Sequence, residues 1–318
     1  MKFLIFALCL LPPSARPAVQ AQAWQPSPGH QQMPLWPGAV PDALVDAQPE
    51  SAETVEGEHL VAGKPWTAIR NVSQPTLTVY SPVKNNTGVA VVVFPGGGYQ
   101  ILAIDLEGSE VCDWLTSRGI TCVLLKYRVP NSGPHWEARC HCHVTPKQPT
   151  ALQDAQRAIG LLRLHAAEWH VDPHKIGVLG FSAGGHLVAH ISTHFAQRAY
   201  KPVDAADNES CRPDFAVALY PGHLSLAENS IALNPDIRTH ISVQTPPTFL
   251  LQNEDDPVDR VEESLSYYAG LKKGGVPVEM HLYAQGGHAF GLRRTKFPAT
   301  EWTGLVEKWL RTIGMIPD

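Results

Sequence analysis

The chain has 318 residues, 44% of them hydrophobic and 17% charged, with a formal net charge of −5. That composition supports a sizeable core, and α/β folds of this length run as a single unit. No stretch is basic enough for a nucleic-acid or membrane-surface footprint, so the expected partner is a small or neutral substrate.

The N-terminus reads as a targeting segment. Lys2 precedes an unbroken apolar run from Phe3 to Leu11, too short to span a bilayer. Pro12 and Pro13 end the run, and Ala21-Gln22-Ala23 offers small residues two apart, so maturation is expected near Trp24. Residues 1–23 are thus read as signal peptide, 24–70 as an extended arm rich in Pro, Gln and Ala, and 71–318 as the main domain of a secreted or periplasmic protein. No later run approaches membrane-spanning length.

Strands are expected at Thr76–Tyr80 and, as a β-branched run buried on both faces, at Val89–Phe94. Pro95-Gly96-Gly97-Gly98 ends the second. A helix follows from Glu107 to Arg118, stopped by Gly119, then a strand from Thr121 to Tyr127. Residues 129–149 hold four prolines and read as an insertion. Apolar residues at steps of three and four predict a helix from Ala151 to Trp169, on which Asp154 and Arg157 are placed to pair. A strand at Ile176–Leu179 precedes a Gly-rich turn and a helix at about Gly185–Ala196. Further strands are expected at Phe215–Leu219, Thr248–Leu251 and Val278–Tyr283, with helices at about Val261–Lys272 and Glu301–Thr312. This alternation predicts an α/β fold whose mostly parallel sheet is covered by helices on both faces. Residues 129–149 and 221–245 are candidates for a small lid.

Without Cys9 in the signal segment, Cys112, Cys122, Cys140, Cys142 and Cys211 remain, an odd number that cannot pair completely. Cys112 and Cys122 are expected as buried thiols. A bridge from Cys211 to Cys140 or Cys142 stays open. Cys140-His141-Cys142-His143 is spaced too tightly for a usual structural zinc site. His186, His190 and His194 share a helix face, but no acid lies between them as in a zinc protease.

The chemistry sits at strand ends. Gly180-Phe181-Ser182-Ala183-Gly184 follows a strand and opens a helix, the context of a strained nucleophile turn. Its flanking glycines leave room for a sharp bend, and the helix dipole faces a developing oxyanion. Ser182 needs a base. His288, in Gln285-Gly286-Gly287-His288-Ala289-Phe290-Gly291 after the last strand, is chosen from 15 histidines by chain order. The orienting acid is expected after the Thr248–Leu251 strand, where Asp256 is preferred to its neighbours Glu254 and Asp255. Backbone amides of Gly97, Gly98 and Ala183 are the candidate oxyanion hole.

The ordered set PGGGY, GFSAGGH, a DDPV loop and GGHAFG resembles the esterase and lipase branch of the α/β hydrolases. Within it the chain resembles bacterial acetyl-xylan-esterase-like proteins. Pro34-Leu35-Trp36-Pro37-Gly38, Glu107-Gly108 and Tyr127-Arg128 also match that group, so the likeness runs from about Pro34 to the C-terminus. Pro95 and Gln252 depart from it, each standing where many relatives carry histidine. The resemblance implies acyl transfer through Ser182, His288 and Asp256, with no metal and no organic cofactor. It implies a small-molecule or polysaccharide ester substrate, acetylated xylan first and other short acyl esters second. A prolyl-oligopeptidase-like peptidase would need a propeller that residues 24–70 cannot build.

Overall fold

The computed structural model describes residues 23–43, 47–137, 139–227 and 229–317, so residues 1–22 of the expected signal segment, with Cys9, lie outside the described residues. The chain begins with β1 (Gln32–Pro34), β2 (Ser51–Val55), β3 (Trp66–Arg70), β4 (Thr76–Tyr80), β5 (Ala90–Phe94), β6 (Ile101–Ala103), α1 (Glu110–Ser117) and β7 (Thr121–Lys126). A hairpin of β8 (His135–Glu137) and β9 (Cys142–Val144) leads to α2 (Thr150–Leu164), β10 (Ile176–Phe181) and α3 (Ala183–Thr193). Then come β11 (Phe215–Leu219), α4 (Pro235–Arg238), β12 (Thr248–Asn253), α5 (Val261–Lys273), β13 (Val278–Tyr283) and α6 (Trp302–Thr312).

Eight strands form the central sheet in the order β1-β4-β7-β5-β10-β11-β12-β13. The six from β7 to β13 run parallel; β4 and β1 close one edge antiparallel. Every residue of β5, β7, β10, β11 and β12 is buried. Their unbroken apolar runs therefore meet helices on both faces, as parallel crossovers require. Trp114 on α1 meets Trp302 on α6 edge to face, while α2 packs against α3.

Residues 24–70 do more than cover the surface. They supply β1 to the main sheet and β2 and β3 to a three-stranded sheet completed by β6. Trp36 Nε1 donates to Asp154 Oδ1 at 2.9 Å, and Arg157 Nε donates to the Leu35 carbonyl at 3.2 Å. Asp154 and Arg157 do not pair with each other. Buried Asp154 takes the Arg128 guanidinium, and Arg157 reaches Asp204 and Asp207. The 129–149 insertion is not all loop, since it folds back as the β8–β9 hairpin.

The expected thiols at Cys112 and Cys122 are instead a disulfide, because α1 lies directly on β7 with the two Cα atoms 5.1 Å apart. Cys140 bridges Cys142 across the hairpin end, which removes both partners considered for Cys211. Cys211 is buried and donates its Sγ hydrogen to the Phe195 carbonyl at 3.3 Å.

Candidate active site

Strand order reverses between β5 and β10: the chain goes from β5 outward to β7, then returns past β5 to β10. Ligands of doubly wound sheets bind at such switch points, beyond the carboxyl ends of the strands. The Pro95–Gly98 loop leaves β5 there, and Ser182 leaves β10 beside it. Ser182 has φ 52° and ψ −120°, a left-handed backbone forced by the direct strand-to-helix turn. A Cβ on Gly180 would stand 2.2 Å from the Gly184 carbonyl oxygen, and one on Gly184 2.1 Å from that of Phe94. Those contacts are why the turn demands glycine on both sides of the serine.

His288 Nε2 lies 3.0 Å from Ser182 Oγ, and His288 Nδ1 lies 2.7 Å from Asp256 Oδ2. The second oxygen of Asp256 accepts the amides of Val258 and Asp259 at 2.8 and 2.9 Å, and Gln252 Nε2 donates to Oδ2. Gln252, a departure from the family pattern, thus steadies the acid. Asp255 serves the histidine loop instead, where its Oδ1 accepts the amides of Gly286 and Gly287. Burial pulls the His288 pKa down, but the Asp256 hydrogen bond and the charges of Asp259, Asp256 and Glu107 outweigh it, and the net shift is upward. Among the described residues no protein group accepts from the amides of Gly97, Gly98 or Ala183, and both glycines border the same cleft as Ser182 and His288.

A solved structure described as an acetyl ester-xyloside bifunctional hydrolase from Caldicellulosiruptor lactoaceticus is 35% identical to this chain. It superposes with a TM-score of 0.71 over 90% of this chain and 97% of its own. The chain belongs to the α/β-hydrolase esterases. The protein-family model described as BD-FAE matches residues 77–220 of this esterase chain. An acetylxylan esterase of Xylanibacter ruminicola is 27% identical over 232 residues, which are 65% of this chain and 42% of that protein. An endo-1,4-beta-xylanase B of Butyrivibrio fibrisolvens is also 27% identical, over 67% of this chain and 34% of its own. The chain therefore spans about a third to under a half of the length of these two curated relatives.

Two acids of this esterase site are not singled out by the sequence. Glu107, which stands there only as part of a family pattern, is buried under the site: Oε2 accepts the Gly96 amide at 2.8 Å and Oε1 the Tyr220 hydroxyl at 2.9 Å. Tyr220 in turn accepts from the Gly291 amide and lays its ring 4.9 Å from that of His288. One carboxylate thus ties the Gly96–Gly98 loop to the histidine loop. A wide helical turn, closed by the Ser109 amide on the Ile104 carbonyl, aims Glu107 inward just before α1. Asp259 accepts a hydrogen bond from Ser182 Oγ at 3.0 Å and lies 3.7 Å from His288 Nε2. Burial raises its pKa to about 6. Nothing in its local sequence separates Asp259 from an ordinary loop acid.

The cleft over Ser182 holds about 600 Å³ and is bordered by Trp66, Trp136, His143 and His223 as well as the catalytic candidates. A neighbouring cavity of about 480 Å³ shares Trp136, His143, His223, Val258 and Asp259 with it and runs on toward Asn234. The two segments expected as a lid, 129–149 and 221–245, both contribute to this wall.

Proposed function

We propose that this chain is a secreted serine carboxylic-ester hydrolase that removes acetyl groups from xylan or xylo-oligosaccharides. The observation that carries the reading is the relay from Asp256 through His288 to Ser182, at 2.7 and 3.0 Å, set at the switch point of the sheet. Ser182 Oγ attacks the ester carbonyl carbon as His288 Nε2 takes its proton. Asp256 holds Nδ1–H and balances the imidazolium. The carbonyl oxygen, now an oxyanion, takes the amides of Gly97, Gly98 and Ala183; one such donor is worth about 2.7–4 kcal/mol in the transition state. His288 returns the proton to the departing sugar hydroxyl. Water then attacks the acetyl-serine by the same route and leaves acetate.

The sugar part of the reading rests on the relatives named for xylan chemistry and on the shape of the cleft. Trp136 is 53% exposed within it, a flat apolar ring of the kind that stacks on a pyranose face, and the second cavity of about 480 Å³ adjoins it through shared lining residues. Export is supported by the N-terminal apolar run and by the disulfides Cys112–Cys122 and Cys140–Cys142, bonds that persist in oxidising compartments. No helix among the described residues is long and apolar enough to cross a membrane.

The test is acetate release from acetylated xylan beside hydrolysis of p-nitrophenyl acetate and butyrate, with Ser182→Ala as control. Release from xylan that disappears in the variant establishes the reading. Turnover of the nitrophenyl esters alone moves the substrate to short acyl esters in general. Activity that survives in Ser182→Ala overturns the mechanism.

A further inference from the structure

The helix α3, with Ser182 at its N-cap and His194 at its C-cap, sets His186, His190 and His194 one turn apart. His186 is taken by the fold: its Nδ1 lies 2.8 Å from the Tyr99 hydroxyl, fully buried. The other two face an acid that the helix itself does not contain. Asp236, on α4 in the connection from β11 to β12, places Oδ2 3.4 Å from His190 Nε2 and Oδ1 3.5 Å from His194 Nε2. One ligand atom of each residue lies within 4.8 Å of the other two.

These separations exceed those of a charge-assisted hydrogen bond, about 2.7–2.9 Å. Each nitrogen instead faces its own carboxylate oxygen across a gap close to the roughly 3.3–3.4 Å that separates two ligand atoms of a tetrahedral metal with bonds of about 2.0–2.1 Å. The tautomer of His194 points the same way. Thr193 Oγ1 gives its hydrogen to the Ala189 carbonyl at 2.8 Å, so it can only accept from His194 Nδ1, which also donates to the His190 carbonyl at 3.1 Å. With the proton on Nδ1, the Nε2 lone pair is aimed at a carboxylate oxygen, acceptor against acceptor, and a cation between them resolves the conflict. A backbone carbonyl on the far nitrogen is the usual outer support of a metal-bound imidazole. His240 adds a lid: its Nδ1 donates to the Asp236 carbonyl at 2.7 Å and its ring stands 4.0 Å from that of His194.

We propose that His190, His194 and Asp236 bind a first-row divalent cation, zinc by preference, and that the ion pins the β11–β12 connection to the helix behind Ser182. Two imidazoles and a carboxylate suit zinc. The Asp236 side chain is 56% exposed, so water completes the coordination. The ion stands away from the ester-cleaving groups, and its role is to brace one wall of the cleft.

The untagged full chain, stripped with a chelator, is titrated with Zn²⁺ by calorimetry and with Co²⁺ by visible absorption. One equivalent of Zn²⁺ should bind, Co²⁺ should give the intense bands of tetrahedral coordination, and the thermal midpoint should climb with zinc concentration. Asp236→Asn, at an exposed position, and His194→Ala should each weaken binding by about 100-fold or more, above the loss from removing an outer support. His141→Ala, an exposed histidine of the other His-rich stretch, should bind as the parent does. No saturable binding by about 1 mM Zn²⁺ (a few kcal/mol of affinity), or binding untouched in both ligand variants, overturns the site. Neither readout uses ester turnover, so failure here is separate from failure of the hydrolase reading.

Discussion

The Ser182 hydroxyl donates its single proton to Asp259 Oδ2 at 3.0 Å, while His288 Nε2 waits at the same distance. In the proposed mechanism the resting Ser182 hydroxyl is therefore turned away from His288 and must rotate toward it for attack. The Asp259 charge also raises the pKa of His288. Removing that charge in Asp259→Asn should move the acid limb of the kcat/KM profile to lower pH, because the imidazolium loses a neighbouring anion. A limb that stays in place or moves upward would show that Asp259 does not act on His288.

The same substitution should stabilise the fold. Burial raises the Asp259 pKa from 3.8 to about 6. Its contribution to stability is complete below the unfolded value and is lost as pH rises through about 6. By pH 7–8 the loss is up to about 3 kcal/mol. Denaturation at pH 7.5 and at pH 4 should show Asp259→Asn gaining over the parent only at the higher pH; an equal gain at both would assign the effect to packing instead.

Ser182→Ala should lower kcat by about 10⁶ if the three residues act as a unit. Asp256→Asn should be far more damaging than Asp255→Asn, because Asp256 meets His288 Nδ1 while Asp255 meets only loop amides. Steady-state kinetics of the two variants decide between them, and equal losses would remove Asp256 from the relay.

Glu107 uses both carboxylate oxygens as acceptors, one for Gly96 and one for Tyr220. Glutamine keeps one acceptor and turns an NH₂ toward the other donor. A hydrogen bond to a charged group is worth about 1.5–3 kcal/mol, so Glu107→Gln should lower kcat by about 10–100-fold with little change in KM. A variant with parental kcat would mean that the two loops hold their positions without this tie.

The Cys112–Cys122 bridge closes a short loop, with a sequence separation of 10. Cross-links over loops of that length contribute about 2–3 kcal/mol in the chain-entropy account. Chemical unfolding with and without reductant should show that loss in the parent. The double variant Cys112→Ala/Cys122→Ala should start from the lower stability, with its unfolding far less sensitive to reductant.

The candidate nucleophile turn was legible in the sequence because its causes are local. Gly180 answers a contact with Gly184, four residues on, and strand runs such as Phe215–Leu219 record burial on both faces. His288 and Asp256 followed from chain order along an alternating α/β pattern. Other features have no local cause. β1 is three residues whose pairing depends on β4, and the Cys112–Cys122 bridge depends on where α1 lands on β7. Glu107 meets Tyr220 across 113 residues, and Asp259 meets Ser182 across 77. His190 and His194 lacked an acid until α4 delivered Asp236. The sequence by itself determined the elements, their order and the residue types at the strand ends, since periodicity and turn sterics act over a few residues. Which acids face the serine, which thiols join and which imidazoles share a carboxylate were decided only by the tertiary structure, because those contacts exist only once distant segments have packed.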